Sequence, residues 1–467
     1  MRKQQFMQVG VIVLGLALLG SGCQTYTSQA KTMHHEWSAG NAAVAAAAFG
    51  KEADASGDSK DAVVWNLEAG NAYRVAGNLP ESSRHFDKAA ERIDVYEQQS
   101  KVKAGREALA IMTTPQNMPY EGRSYDKIML HTYLALNHLA VGEVEKARPE
   151  MIAAYQCQQD AVEENKRRIE KAQTAEQQSK DRQAIEKAKT NPKFNQGVEG
   201  VTKEIEGFKF YADYVNPFTV YLDGLYFLHA GVDASDLERA RKSLNRVLEI
   251  TGSNQFVLAD LQLAESGNAA TATPCTYVIF ETGKAASREQ VRIDIPIIVT
   301  SVSYVGAAFP KLAFHNDQAA ELIVKNGVAE EKTAVIANMD SIIALDFKNE
   351  WPVILTKTMI STVSKAVAAY AINQAAAQQS MYAGLFARVM TAAAQAAMNI
   401  ADTRSWTTLP KEFQVARIAT PADRKLTLAT PGMAPVEVAV ADGVINVVYV
   451  RSISVGSPLQ ISQFKLR

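Results

Sequence analysis

Cysteine is scarce in this chain. Three cysteines among 467 residues cannot build the dense disulfide network that stabilises small secreted domains. Cys157 and Cys275 are far apart in the sequence and are expected in different domains, so we predict two unpaired thiols, with a disulfide between them as the alternative. Stability must then come from packing, and a chain of this length with 47% hydrophobic residues is expected to form two or three domains.

An excess of charge of either sign is also missing. Lys and Arg number 49 against 50 Asp and Glu, which gives a formal net charge of −1. Nucleic-acid binding depends on clustered positive charge, so no nucleic-acid partner is predicted.

Catalytic motifs are missing as well. The chain has no Gly-x-Ser-x-Gly elbow, no Gly-rich phosphate loop and no Cys-x-x-Cys pair. His34-His35-Glu36 begins like a zinc-protease motif, but Ala39 stands where the second histidine belongs. We therefore predict a non-enzymatic protein with no catalytic residue, cofactor or metal. Paired carboxylates such as Asp340 and Asp346 leave glycan hydrolysis as an alternative.

The N-terminal apolar run, residues 9–19, is too short to cross a bilayer comfortably. It follows Arg2 and Lys3 and precedes Gly20-Ser21-Gly22-Cys23, which is the order of parts in a secretory signal. A cysteine directly after small residues resembles the lipobox of bacterial lipoproteins, and this resemblance implies a diacylglyceryl group on Cys23. We expect a signal peptide at 1–22 and a lipidated cysteine with a tether at 23–40. Ordinary cleavage and an uncleaved anchor are the alternatives.

Residues 41–255 have the periodicity of helical hairpins. Apolar residues recur at spacings of three and four from residue 63 to 97, and Gly77-Asn78-Leu79-Pro80 marks a turn. The pattern resembles that of a tetratricopeptide repeat, in which small residues lie where two helices approach and large residues fill the groove between helix pairs. Three degenerate copies fit it, with Gly70, Tyr73, Gly77, Ser82, Phe86 and Ala89; with Leu134, Ala135, His138, Gly142, Ala147 and Ala154; and with Gly224, Phe227, Gly231, Ala240, Leu244 and Val247. Such hairpins stack on one another, so we predict a TPR-like helical repeat domain.

A polar tract at about 158–206 interrupts the repeats. We expect a solvated helical extension supported by pairs such as Glu164 with Arg168. A coiled-coil partner surface is the alternative.

After residue 274 the period changes to two. Candidate strands lie in 274–351 and in 402–467, at 277–281, 290–299, 302–308, 322–324, 334–337, 413–418, 425–428, 436–440 and 444–451, and Asn326-Gly327 is a hairpin-type turn. An Ala-rich stretch at 352–401 separates the two groups. The predicted fold is α+β and multidomain: a TPR-like helical domain, then an antiparallel β-sandwich with an inserted helical hairpin. Membrane insertion of that hairpin is the alternative.

Three short blocks carry a family resemblance. They are Asn216-Pro217-Phe218 with Tyr221-Leu222-Asp223-Gly224-Leu225, then Arg292-Ile293-Asp294-Ile295-Pro296, then Asp402-Thr403-Arg404-Ser405-Trp406 followed by Leu409-Pro410. In this order, between a helical front and a strand-rich back, they resemble a family of uncharacterised bacterial lipoproteins with tetratricopeptide-like repeats. The resemblance implies an exported envelope protein. Because Gln24 and not Asp follows Cys23, resemblance to enterobacterial lipoproteins also implies an outer-membrane location facing the periplasm.

Candidate partner-binding residues lie in the repeats and in the third block. They are Tyr73, Phe86, His131, His138, Arg404 and Trp406. His131 and His138 are seven residues apart and can share a helix face, although their repeat positions also suit packing inside the domain. Arg404 and Trp406 are the residue types of interface hot spots. Alternatively, Asp402 pairs with Arg404 while Trp406 and Leu409 fill the sandwich.

The sequence therefore predicts a membrane-anchored lipoprotein that acts as a non-enzymatic scaffold or regulator and binds an envelope protein. A cell-wall or glycan-processing enzyme and a membrane-inserting secretion or pore component are the alternatives.

Overall fold

Helices form the N-terminal half of the chain and sheets follow them. The computed structural model describes residues 26–102, 115–211, 214–267, 273–296, 304–379 and 400–467. The mixed α+β composition predicted from the sequence is confirmed. The expected signal peptide and Cys23 lie outside the described residues.

The helices are α1 (Tyr26–Ser38), α2 (Ala42–Ser56), α3 (Ala62–Val75), α4 (Leu79–Val102), α5 (Ser124–Ala140), α6 (Val144–Gln177), α7 (Arg182–Lys189), α8 (Pro192–Thr202), α9 (Pro217–Ala230), α10 (Ala234–Thr251), α11 (Gln255–Ser266) and α12 (Met339–Gln379).

Helix α1 corrects the prediction of a tether. The segment begins within three residues of Cys23, yet its Tyr26, Ala30, Met33 and Trp37 are buried. These positions recur at three and four residues, so they lie on one side of the helix and join the core. The polar residues between them concealed this apolar face in the sequence.

The three predicted helix pairs pack side by side: α3 with α4, α5 with α6, and α9 with α10. Helix α2 packs against α3 in the same way. The predicted turn after α3 is confirmed, with Gly77 at φ +80°, a conformation that glycine adopts without steric cost. In the first pair a Cβ at Gly70 would come within 2.5 Å of the Phe86 ring, and in the third a Cβ at Gly224 would come within 2.9 Å of Leu244. Glycine is therefore what lets each of these helix pairs approach.

The polar tract continues α6 to Gln177 and then forms α7 and α8. It is not wholly solvated, because Ile185 and Phe194 are buried. The predicted pairing of Glu164 with Arg168 is wrong. Glu164 instead accepts from Lys127 at 3.1 Å, and Arg168 donates to Glu350 at 2.9 Å.

The strands are β1 (Cys275–Thr282), β2 (Ser287–Pro296), β3 (Tyr304–Ala313), β4 (Ile323–Lys325), β5 (Glu330–Lys332), β6 (Ala334–Asn338), β7 (Glu412–Ala419), β8 (Lys425–Ala429), β9 (Val436–Ala439), β10 (Ile445–Ser452) and β11 (Gln460–Lys465). Each predicted strand overlaps one of these, whereas the polar strands β5 and β11 were missed. Asn326-Gly327 connects β4 to β5, which pair antiparallel, so the predicted hairpin is confirmed.

The main sheet has five strands in the order β11-β10-β1-β7-β6. Its central strands β1 and β10 run parallel, which corrects the purely antiparallel prediction. Both strands are buried along their whole length, as expected for strands covered on two faces. The remaining strands form the β2-β3 pair and a four-stranded sheet in the order β5-β4-β8-β9.

Helix α12 corrects the predicted start of the insertion. It begins at Met339 directly after β6, and Pro352 lies inside it. The second half of the predicted hairpin, residues 380–399, lies outside the described residues.

Within the described parts of the chain, no helix combines the length and apolar character needed to cross a membrane.

One contiguous set of buried side chains joins the helices to the sheets. Phe218 of α9, for example, stacks on Phe413 of β7 with ring centroids 3.9 Å apart. The core therefore does not divide between residues 255 and 274, where the sequence predicted a domain boundary.

Candidate functional site

Trp406 lies between the helices and the sheet. Its ring packs edge-on against Phe86 and Tyr133, with centroids 5.8 Å away in each case. Its indole N–H donates to the Thr408 hydroxyl at 2.9 Å. Trp406 and Phe86 are both buried, so neither is open to a partner, which corrects their selection as surface contacts. Trp406 also fills a junction with helices and not the interior of a sandwich.

Arg404 is likewise buried, so its selection as a surface contact for a partner is also wrong. It pairs with Asp402 at 2.8 Å, as the alternative interpretation predicted. Its Nη1 also reaches the Asp61 carboxylate and the Met118 carbonyl, each at 2.9 Å. A guanidinium carries five donors in a fixed fork, so one side chain joins the segment before β7 to two separate loops of the helical region.

Glu68 binds the next residues of the same segment, Thr407 and Thr408. Its carboxylate accepts from the Tyr26 hydroxyl at 2.7 Å and from the backbone N–H groups of Thr407 and Thr408 at 2.8 and 3.0 Å. Burial by itself raises the pKa of Glu68, but the hydrogen bond and charge of His34 and the bonds from Thr407 and Tyr26 outweigh it and lower the pKa. Glu68 is therefore an ionised anchor for residues 405–408.

A second charged cluster surrounds Glu350 on α12. Arg123 and Arg288 each donate to its carboxylate at 2.6 Å, and Arg168 donates at 2.9 Å. Burial opposes ionisation, but the three positive charges hold the pKa of Glu350 well below its usual range. Because these arginines come from α6, β2 and the start of α5, the cluster fastens α12 to three elements.

The carboxylates considered for glycan hydrolysis occupy buried positions. Asp340 accepts from Lys411 at 2.6 Å and from the Ala286 backbone N–H at 2.7 Å. Asp346 lies 4.0 Å from Arg288, in the Glu350 cluster. Burial raises the pKa of both groups, to about 6 for Asp346.

The histidines among the predicted partner residues remain accessible. The side chains of His131 and His138 on α5 are 23% and 24% exposed. Each ring binds a carboxylate of α6 or of its leading turn, His131 to Glu150 at 2.7 Å and His138 to Glu143 at 2.9 Å. Tyr73 is also partly exposed, and its ring stacks on His85 with centroids 5.6 Å apart.

An apolar stripe lies on the solvent side of α6. It consists of Ile152, Tyr155 and Val162, which are 46%, 40% and 47% exposed. Spacings of three and seven residues put all three on one side of the helix. The Arg239 guanidinium of α10 lies 5.8 Å from the centre of the Tyr155 ring.

An open groove of about 580 Å³ separates α11 from the edges of β1 and β7. Arg417 and Cys275 line it, and Arg417 donates to the buried Asp260 at 3.0 Å. Burial raises the pKa of Asp260 to about 6, and burial also raises that of the Cys275 thiol. The groove therefore offers one guanidinium and a thiol that favours its protonated form.

Sequence reasoning missed Glu68, Glu350 and Glu150, the partner of His131. An acidic residue inside the apolar run of α3 was a signal for Glu68, because such a residue needs buried donors. The contact of His131 with Glu150 had no such signal, because it depends on how α5 packs against α6.

No family model, curated protein or solved structure matches the chain. In the described residues no group of three or more His, Cys, Asp or Glu side chains is placed to hold a metal ion. The described residues offer buried charged clusters, an apolar stripe on α6 and two partly exposed histidine–carboxylate pairs on the α5–α6 hairpin.

Proposed function

We propose that this chain is an envelope lipoprotein, anchored in the outer membrane through Cys23, whose stacked helical hairpins bind another envelope protein without catalysis. The export and anchor come from the signal-like N-terminus and from the family resemblance. The binding proposal comes from the helical region, and the stripe on α6 is the observation that carries it.

The helix pairs support a repeat. Gly70 and Gly224 hold corresponding positions in two pairs, and each lies against a large residue of the following helix. In the second pair the corresponding residues are Ala135 and Met151, which are both buried. A small residue opposite a large one in successive hairpins is what a stacked TPR-like array requires.

The stripe of Ile152, Tyr155 and Val162 supports a protein partner. Single exposed apolar residues are ordinary on a protein surface, but several on one side of a helix form a patch of the kind that marks an interaction site. Tyrosine and arginine are enriched in interface hot spots, and here Tyr155 lies beside Arg239. We therefore assign this face of α6 as the partner surface.

The binding proposal is tested by crosslinking in living cells. A photoreactive residue at position 155 is expected to give specific adducts with one or a few envelope proteins. The matched control carries it at Lys242, an exposed polar position on α10. Identical products from both positions, or products with this chain alone, would contradict a partner surface on α6.

The anchor is tested separately by metabolic labelling with a palmitate analogue. The full chain is expected to incorporate the label and to fractionate with the outer membrane, whereas a Cys23→Ala chain is expected to do neither. Label that persists in Cys23→Ala would place the lipid elsewhere or exclude this anchor.

A further inference from the structure

The start of α1 is fixed to the body of the molecule. Tyr26, the first residue of this helix, is 2% exposed, and its ring packs on Trp65 with centroids 4.6 Å apart. The Tyr26 hydroxyl also donates to the buried Glu68 carboxylate at 2.7 Å. Both contacts are made with α3, so an apolar ring and a charged acceptor hold the same residue in place.

Helix α1 is attached at both of its ends. At its start, the hydroxyl groups of Thr27 and Thr403 form a hydrogen bond of 2.8 Å. At its end, the Ser454 hydroxyl donates to the Ser38 carbonyl, and the Lys284 ammonium donates to the Ser38 hydroxyl, each at 3.1 Å. The four buried side chains of α1 lie between these attachments. The helix therefore cannot unwind into a longer tether without exposing apolar surface to water.

The lipidation position is very close to this fixed point. Cys23 precedes Tyr26 by three residues, and even a fully extended chain of that length spans at most about 11 Å. A diacylglyceryl group on Cys23 would hold its sulfur at the edge of the hydrocarbon layer. The headgroups occupy roughly 5–8 Å beyond that edge. A lipidated chain must therefore keep the start of α1 within a few ångströms of the headgroups.

The side chains exposed at this end of α1 suit a phospholipid surface. Thr27, Ser28 and Lys31 are exposed, and spacings of three and four residues place Lys31 on the same side as the other two. Thr403, which is only partly buried, adjoins them through its bond to Thr27. Hydroxyl groups and an ammonium group donate hydrogen bonds to phosphate oxygens. The first turn of α1 has no acidic residue that would repel a phosphate.

We propose that Thr27, Ser28, Lys31 and Thr403 form a membrane-contact face that lies against phospholipid headgroups. This inference rests on the proposed lipid anchor at Cys23. It adds an orientation to that anchor, because α1 then begins at the membrane surface and the body is held there without a tether. A partner of the α6 stripe must consequently reach the membrane surface itself, since three residues cannot carry the body away from it.

The test places a photoreactive residue at position 28 of the full chain in living cells, which keeps the bond between Thr27 and Thr403. Phospholipid adducts are measured by mass spectrometry of the purified chain. We expect clear adducts in the chain with its natural spacing, and about fivefold fewer when twenty Gly and Ser residues are inserted between Thr25 and Tyr26. Such an insertion has an average span of roughly 25 Å, so it separates the body from the membrane and leaves Cys23 and the fold unchanged.

Position 328 supplies the control. Val328 is 99% exposed in the β4–β5 hairpin, and the neighbouring Asn326 donates to the carbonyl of Ala419, the last residue of β7. Strand β7 begins at Glu412 and is about 23 Å long, so this hairpin lies at its opposite end from the segment that binds α1. A photoreactive residue at 328 should give few phospholipid adducts, with or without the insertion.

Two results would overturn the orientation in a chain that incorporates the palmitate label. One is an equal yield of phospholipid adducts at positions 28 and 328, and the other is a yield at position 28 that the insertion does not reduce. A chain that incorporates no palmitate label would instead contradict the anchor at Cys23, and the orientation would fall with it.

Discussion

Glu68 shows how one buried carboxylate can determine the path of a distant segment. Its oxygens accept from Tyr26, Thr407 and Thr408, and the side chain is fully buried. Every one of these partners is a donor, so the site specifies an acceptor with two oxygens. Removing one acceptor here leaves buried donors without a partner, which costs more than a typical hydrogen bond contributes.

Glu68→Gln is therefore expected to lower the free energy of unfolding by about 2–4 kcal/mol, because the new amide N–H₂ group would face donors. Chemical denaturation followed by circular dichroism measures the change. Glu91→Gln is the control, since Glu91 is exposed on α4, and it should shift stability by less than about 0.5 kcal/mol. Equal effects of the two variants would show that the Glu68 contacts do not stabilise the fold.

His131 makes stability depend on pH. Its folded-state pKa of about 9 lies above the ordinary value of 6.5, so the folded protein holds this proton more tightly than the unfolded chain does. The resulting stabilisation is fully present below pH 6.5 and is lost as the pH rises through 9.

Between pH 6.5 and pH 9.5 the free energy of unfolding of the unmodified chain should therefore fall by up to about 3 kcal/mol more than that of His131→Asn. Unfolding in urea at a series of pH values measures this difference, and solvent at the partly exposed ring will reduce it. A difference between the two proteins that stays constant across this range would contradict the raised pKa.

At the scale of the elements, glycine determines how closely paired helices pack. Gly70 of α3 lies against Phe86 of α4, which is itself fixed by Tyr133 and Trp406. A methyl group at position 70 would come within 2.5 Å of the Phe86 ring, which is fully buried. The close approach of these helices therefore depends on the absence of a side chain.

Gly70→Ala should lower the free energy of unfolding by about 1–3 kcal/mol through overpacking. Gly200→Ala is the matched change, because Gly200 is an exposed residue of α8 with open space around it. That variant should be neutral or more stable by up to about 1 kcal/mol, since alanine favours the helix. Thermal unfolding of both proteins compares them directly, and a stabilising Gly70→Ala would show that α3 and α4 can separate freely.

At the scale of the molecule, charged clusters hold the helical and strand regions together. Glu350 binds Arg123, Arg168 and Arg288, which belong to different parts of the chain. Arg123 and Arg288 are buried by the packing that brings them together, whereas the side chain of Arg168 is 39% exposed. Removing the one carboxylate they share leaves buried positive charge without compensation.

Glu350→Gln should therefore lower the free energy of unfolding by about 3–5 kcal/mol at pH 7. Glu186→Gln breaks only the surface pair with Arg182 and should cost less than about 1 kcal/mol. Because the folded-state pKa of Glu350 is lowered, its contribution is present above pH 4.5 and is lost as the pH falls further. The free energies of unfolding of Glu350→Gln and Glu186→Gln should consequently become more alike in acid. Equal free energies of unfolding for these two variants at pH 7 would contradict the role of this cluster.

The sequence by itself determined the type of most elements, because periodicity is a local property of the chain. It indicated the helical hairpins, the turns at Gly77 and Asn326-Gly327, and most strands. It missed β5 and β11, whose polar residues show little alternation, and the helix that begins at Tyr26. It also indicated the close contact at Gly70, since a small residue at a fixed repeat position has a geometric meaning.

Only the tertiary structure decided which distant residues meet. Three features all join positions that no local pattern relates: the parallel pairing of β1 with β10, the burial of Arg404 and Trp406, and the contact of Glu150 with His131. Pairing and burial depend on how whole elements pack, and many packings are compatible with one pattern of apolar residues. For that reason the sequence suggested Arg404 and Trp406 as partner contacts, whereas the fold places them inside and leaves the α5–α6 hairpin at the surface.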